Sequence, residues 1–245
     1  MSLTTRQFGP NPKNEKISIL EMDNNLLYLQ SLGFPTNKLN NSTTNPTILS
    51  YRITATGSFI DNTTIIVYNG INGFNLTNLI SLDLSALSSV GGDNYIYSNP
   101  TMSSLDLSLL SSVGGTNRIS DSALTAIDLS TLDTVGNNLE IHDNSLLISI
   151  DLSSLTSVGS EIKIYNNPLL TDILVNPSGF ASTNYNLTSN ALSETSVDNF
   201  LVALVASGAT ATAVDLTGGS NSTPGTTGSS AIATLIGLGW TFSTN

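Results

Sequence analysis

The segment Leu82–Gly92 reads LDLSALSSVGG, and LDLSLLSSVGG follows at Leu105–Gly115. Near-copies recur as IDLSTLDTVGN from Ile127 and IDLSSLTSVGS from Ile150, so the starts lie 23, 22 and 23 residues apart. A fixed period of this length marks a chain that stacks one small unit on the next. One unit cannot bury its own apolar stripe, whereas stacked units share a continuous core, so each position is specified again in every coil.

Between these copies lies a second recurring unit: NYIYSNP from Asn94, NRISDSA from Asn117, LEIHDNS from Leu139 and IKIYNNP from Ile162. Its period is two, placing Asn94 with Ile96, Leu139 with Ile141 and Ile162 with Ile164 on one side, and the intervening residues on the other. The LDL and IDL triplets alternate likewise and predict a second short strand per coil, with the closing glycines as turns. The expected fold is mainly β, a parallel β-solenoid with 22–23-residue coils.

The pattern resembles leucine-rich repeats, whose strand motif is Leu-x-Leu-x-x-Asn. It is met by Leu139-x-Ile141-x-x-Asn144, by Ile162-x-Ile164-x-x-Asn167 and, with a degenerate first position, by Asn94-x-Ile96-x-x-Asn99; Ser122 stands in for the Asn in its coil. The short β-rich coils are similar to the bacterial-surface and receptor-L-domain types. The resemblance implies a buried ladder of Asn99, Asn144 and Asn167 bonded to backbone groups, with Ser122 as a weaker rung.

The ends differ from the middle. YNLTSN at Tyr185, VDLTGG at Val214 and WTFSTN at Trp240 continue the strand pattern at wider spacing. Helix signals separate them: Ser193 or Thr195 as a cap for a helix through Ala206 with Gly208 as its stop, and Ser229 or Ser230 for a shorter one through Leu238. Residues 184–245 thus read as a helix-backed cap, residues 47–183 as the β-rich solenoid, and YRITATG and TIIVYNG as irregular leading coils. Residues 1–46 read as an anchor: Ser18 and Glu21 form a capping box for a short N-terminal helix. Ile19, Met22, Leu26 and Leu29 make a two-heptad oligomerisation seam, and a linker follows.

Two further stretches carry a resemblance. ISILEMDNNLLYLQSL is similar to an N-terminal segment of structural proteins of tailed phages and large DNA viruses, and SETSVDNFLVALVASG with the chain that follows is similar to a C-terminal module of phage appendage proteins. The resemblance implies a virion fibre or appendage subunit. It would contact other virion proteins through its N-terminal helix, assemble as a homotrimer in the host cytoplasm and face a host-surface receptor, glycan or protein. The alternatives are a structural decoration or joining protein of the virion, and a bacterial surface adhesin.

Composition sets bounds on this reading. The chain has no cysteine, which excludes disulfides and thiolate metal sites. Its longest apolar run, FLVALVA from Phe200, falls well short of the ~20 residues a membrane span requires. The first twenty residues contain no apolar stretch of signal-peptide length, an expectation that fits release by host lysis. The sequons at Asn62, Asn75, Asn186 and Asn221 read as composition rather than glycosylation. Five of the seven basic residues precede Ile53, leaving an acidic body that disfavours nucleic acid.

Catalytic signals are sparse. There is one histidine, His142, and no phosphate-loop, dinucleotide or paired-histidine motif, so the expectation is a protein that is not an enzyme. Glu140, Asp143 and Glu161 are carboxylates without a defined facing pair. The outward side of the first sheet is the candidate ligand face: Tyr68, Tyr97, Ser120, His142 and Tyr165 in one column, Ile66, Tyr95, Arg118, Glu140 and Lys163 in the next. Exposed aromatics beside donors and acceptors suit a ligand; a ladder of strand-favouring tyrosines is the plainer reading. Asp83, Asp106, Asp128 and Asp151 form a column whose mutual repulsion calls for compensation. Turn amides near Ser85, Ser108, Ser130 and Ser153 would supply it, and bridging calcium is the alternative. No cofactor is otherwise expected.

Overall fold

The computed structural model describes residues 80–85, 87–209 and 213–245, Asp83 by its backbone alone, and the backbone of four upstream strands, Thr36–Leu39, Ser50–Arg52, Gly57–Phe59 and Thr64–Tyr68. The N-terminal helix and the seam of Ile19, Met22, Leu26 and Leu29 lie outside the described residues. Thr36–Leu39 falls inside the stretch read as a linker, yet it pairs with Thr64–Tyr68 as the first strand of the long sheet.

That sheet has nine strands, all parallel and in sequence order along the stack. After the two upstream strands come Asn94–Asn99, Asn117–Ser122, Leu139–His142, Glu161–Tyr165, Asn184–Asn186, Ala213–Asp215 and Thr241–Ser243. The register pairs Asn94 with Asn117, Asn117 with Leu139, Leu139 with Ile162 and Ile162 with Tyr185, which is a parallel solenoid with coils of about 23 residues. Each coil then makes the expected short strand from its LDL or IDL triplet: Ser81–Asp83, Ser104–Asp106, Ala126–Asp128 and Ser149–Leu152, followed by Asp172–Val175.

A third strand per coil follows, at Leu87–Val90, Ser112–Val113, Thr134–Val135 and Ser157–Val158. The glycines just after it were expected to make turns, and they lie in the bends that end each copy. None of Gly114, Gly115, Gly136 and Gly159 has a positive φ. Their role is close approach: a Cβ on Gly136 would sit 1.9 Å from the Gly114 carbonyl oxygen, and one on Gly159 2.1 Å from that of Gly136. Successive backbones touch at this corner, and only a residue without a side chain fits between them.

The left-handed positions occur instead at the end of the long-sheet strands. Ser98, Asp121, Asp143, Asn166 and Ser189 have φ between 52° and 58°. Short polar side chains tolerate this region best among non-glycine residues. The turn slips the strand alternation by one, so that the next residue points inward: Asn99, Asn144, Asn167 and Asn190 are fully buried and Ser122 nearly so.

The core repeats coil by coil. In one coil Leu139, Ile141, Leu147, Ile150, Leu152, Leu155 and Val158 all point inward and none is more than 3% exposed. Each such side chain stabilises the fold by roughly 1.5–3 kcal/mol relative to an exposed one. At the start of two long-sheet strands the inward position is also polar: Asn94 Nδ2 donates to Asn117 Oδ1 at 2.8 Å, so adjacent coils satisfy part of each other's cost.

Two helices close the described C-terminal part. Helix α1 is Glu194–Ser207; Ser193 Oγ accepts the Ser196 amide at its start, and Gly208 ends it with φ 63°. Helix α2 is Thr226–Gly237 and begins earlier than Ser229 or Ser230 would allow. Gly225 is its N-cap, and the missing side-chain acceptor comes from α1, where Asp198 Oδ1 accepts the Gly225 amide at 2.9 Å. A carboxylate at that end also meets the favourable pole of the helix dipole. Phe180, Tyr185, Phe200 and Trp240 pack together beneath the helices, with the Tyr185 hydroxyl donating to the Phe180 carbonyl at 3.2 Å. Burial pushes the Tyr185 hydroxyl pKa well up. No described helix is long and apolar enough to cross a membrane.

The two kinds of glycine predict opposite outcomes. Gly136→Ala should lower the melting midpoint sharply, because backbone on the neighbouring coil cannot yield. Gly237, with open space around it, should accept Ala with a gain of up to about 1 kcal/mol in α2. Chemical denaturation of both variants checks the pair; equal effects would mean that the coils do not touch at Gly136.

Candidate functional site

The outward side of the long sheet carries the large polar and aromatic side chains. Register places Ile66, Tyr95, Arg118, Glu140 and Lys163 in one column and Tyr68, Tyr97, Ser120, His142 and Tyr165 in the next, as the alternation predicts. The side chains of Ile66 and Tyr68 lie outside the described residues.

The first column is an ion-pair relay. Arg118 Nη2 lies 2.5 Å from Glu140 Oε2, and its Nε donates to the same oxygen at 2.7 Å. Lys163 Nζ lies 3.5 Å from Glu140 Oε1 and 2.8 Å from Glu161 Oε2. Asn138 Nδ2 adds a bond to Glu140 Oε1 at 3.2 Å. Glu140 is only 6% exposed although it faces outward, because these neighbours cover it. Burial pushes its carboxyl pKa up, but the Arg118 bond and charge, with Lys163 and Asn138, outweigh burial and hold it below the usual range. The bond to Glu161, and then the Glu140 charge, raise the Lys163 pKa against the opposing effect of burial. The Arg118 guanidinium also stands 5.8 Å from the centre of the Tyr95 ring, a cation–π distance.

The second column is an aromatic stack anchored by a carboxylate. The His142 and Tyr165 rings lie 4.7 Å apart and within 5° of parallel. His142 Nδ1 is 2.7 Å from Asp143 Oδ2, and Asn166 Nδ2 donates to the other oxygen of the same carboxylate. The left-handed Asp143 therefore fixes the ring, and the left-handed Asn166 of the next coil fixes Asp143. Burial, then the charges of Asp143 and Glu140, push the Tyr165 hydroxyl pKa up. These contacts preset the side chains, so little rotamer freedom remains to be lost on binding.

The Asp column is arranged differently. Asp83 pairs in register with Asp106, and Asp128 with Asp151, but these pairs belong to separate sheets and the next position is Leu174. Asp106, Asp128 and Asp151 each accept the amide two residues on, from Ser108, Ser130 and Ser153, at 2.9–3.0 Å. The Ser130 hydroxyl and amide lower the Asp128 pKa against burial. No group of three or more His, Asp or Glu side chains among the described residues is placed to hold a metal ion.

The buried carboxamide ladder extends further than the motif count suggested. Ser122 donates to Asn144 Oδ1 through its amide and its hydroxyl. The Asn144 amide donates to Asn167 Oδ1 and the Asn167 amide to Asn190 Oδ1, while each Nδ2 reaches carbonyls of its own and the preceding coil. Asn190 and Asn221 continue it, Asn221 accepting the Leu192 amide at 3.0 Å. Tyr185-x-Leu187-x-x-Asn190 carried the signal for the first. Asn221 is displaced by Gly218 and Gly219, both left-handed. Asn221 is also a sequon residue, and burial of its side chain removes it as an attachment site in the folded chain.

No protein-family model matches the chain, and neither a curated protein nor a solved structure matches it significantly.

The relay predicts a signed pH response. Glu140 has a folded pKa below its ordinary value of 4.5, so its contribution to stability is present above that value and is lost as pH falls through the depressed one. Lys163, raised above its ordinary value of 10.5, contributes below that value and loses the contribution as pH rises through its folded one. Glu140→Gln should flatten the acid limb of a plot of melting midpoint against pH. An unchanged acid limb would show that the relay is not what the acid limb reports.

Proposed function

We propose that the chain is a non-enzymatic virion structural protein, a fibre or appendage subunit whose solenoid presents the outward face of its long sheet to a host surface. The observation that carries this reading is the concentration of side chains on one preset face. Of the residues from Ile80 onward, Arg118 and Lys163 are the only Lys or Arg. Both stand on that face beside Tyr95, Tyr97, His142 and Tyr165. The virion setting rests on the resemblance of the N- and C-terminal segments to phage structural proteins, and the leucine-rich-repeat type on the Asn ladder. In this reading the seam of Ile19, Met22, Leu26 and Leu29 anchors or trimerises the subunit, and the acidic body discourages nucleic acid.

The face is tested by replacing Tyr97, His142 and Tyr165 together with Ala and measuring attachment of labelled protein to host cells. Loss of attachment is expected while the variant stays folded, with its circular dichroism spectrum kept and its melting midpoint lowered only by the lost His142–Tyr165 stack. Retained attachment would remove the face as the recognition surface, and loss of particle assembly with attachment intact would favour a decoration or joining role. For the anchor, light scattering of the full chain and of a version beginning at Phe34 should show a trimer that falls to a monomer. A monomer in both would refute self-association through the N-terminus.

A further inference from the structure

We infer that the outward face ends in a binding subsite for a single neutral sugar ring, in the trough formed by Asn184, Asn186, Ala213, Asp215, Thr241 and Ser243. The inference rests on the proposed recognition role of this face and assigns it a ligand class. Side-chain size falls abruptly along the Lys163 column and along the column beside it that holds Glu161. Lys163 pairs in register with Asn186, then Asn186 with Asp215 and Asp215 with Ser243. Beside them Glu161 is followed by Asn184, Ala213 and Thr241. Large side chains give way to small ones over three strands, and the step leaves a cavity of about 260 Å³ lined by these six residues with Tyr185 and Val214. That volume suits one ring rather than a drug-sized ligand.

The hydrogen-bonding groups of the trough are mixed and held in place. Asn186 Oδ1 accepts the Thr188 amide and hydroxyl at 3.1 and 2.8 Å, which leaves its Nδ2 as a donor. Asp215 Oδ1 accepts the Thr217 amide and hydroxyl at 3.0 and 2.7 Å, which fixes the carboxylate and leaves Oδ2 as an acceptor. Asn184 Nδ2 reaches Glu161 Oε1 at 3.5 Å, so its carbonyl oxygen is an acceptor as well. Thr241 and Ser243 supply exposed hydroxyls, which both donate and accept. A ligand that satisfies this set must itself donate and accept at several neighbouring atoms, as the hydroxyls of a pyranose do.

Charge excludes the other sugars. No cation lines the trough. Lys163, at the rim, is held by Glu161 and Glu140, and Arg118 by Glu140. An acidic or sulfated sugar would meet the Asp215 carboxylate with no free cation to offset the repulsion.

Saturation-transfer NMR on the full chain, with glucose, galactose, mannose and N-acetylglucosamine, and with sialic acid as the anionic control, tests the assignment. At least one neutral sugar should bind and sialic acid should not. Asn186→Ala removes the fixed donor, and Ala213→Trp fills the trough without deleting a polar group. Each should weaken binding at least tenfold, with the melting midpoint kept in the Trp variant. The Ala triple variant at Tyr97, His142 and Tyr165 should still bind the monosaccharide. Absence of neutral-sugar binding overturns the subsite, as does binding unaffected by Ala213→Trp, and as does binding of a lysine-rich peptide in place of any sugar. If host attachment still depends on the tyrosines while no neutral sugar binds, the subsite fails and the recognition face stands; if sugars bind in the trough while attachment ignores the tyrosines, the reverse holds.

Discussion

The structure depends on coil-to-coil register. Parallel strands at a spacing of ~4.8 Å leave no room for a coil to slip, because a shift of one residue would turn its apolar side chains outward. The carboxamide ladder enforces this alignment from within. Asn144, Asn167 and Asn190 each accept an amide from the preceding coil through Oδ1, and the Nδ2 atoms of Asn144 and Asn167 donate to carbonyls at the same corner. Buried amides left without these partners would each cost about 1–3 kcal/mol, so the ladder tolerates few defects.

Two further features follow from that register. Left-handed residues at Ser98, Asp121, Asp143, Asn166 and Ser189 turn the chain so that the ladder points inward. At another corner the glycines let backbones touch. Together they make a rod whose outer surface repeats in columns, and a column is where a small sequence change has a long reach. Replacing large residues by small ones in three successive coils produces a trough; placing an acid between two cations produces the Arg118–Glu140–Lys163 relay.

The relay also bears on function. Among the described side chains of the face, Arg118 is paired with Glu140 and Lys163 with Glu161 and Glu140, so both of these cations are engaged by carboxylates. The His142–Tyr165 stack is restrained in the same manner by Asp143 and Asn166 of adjacent coils. Such a surface has its side chains held in place by their neighbours, so little rotamer freedom is left in them.

The sequence by itself determined the coil length, the parallel stacking and the inward and outward columns, because each is a local pattern written anew in every repeat. Asn94 and Ile96 announce their orientation through spacing alone, whereas Asn99 turns inward through the left-handed Ser98 before it. What only the tertiary structure decided involves contacts between coils. The glycines are required by a carbonyl 22 or 23 residues earlier, so their spacing looks like a turn signal until the coils are stacked. The start of α2 is set by Asp198 on another helix, which no local cap could reveal. Asn221 joins the ladder through a detour of two left-handed glycines. The trough at Asn186 and Asp215 exists only because three strands far apart in the chain lie side by side, where the difference between large and small neighbours becomes a cavity.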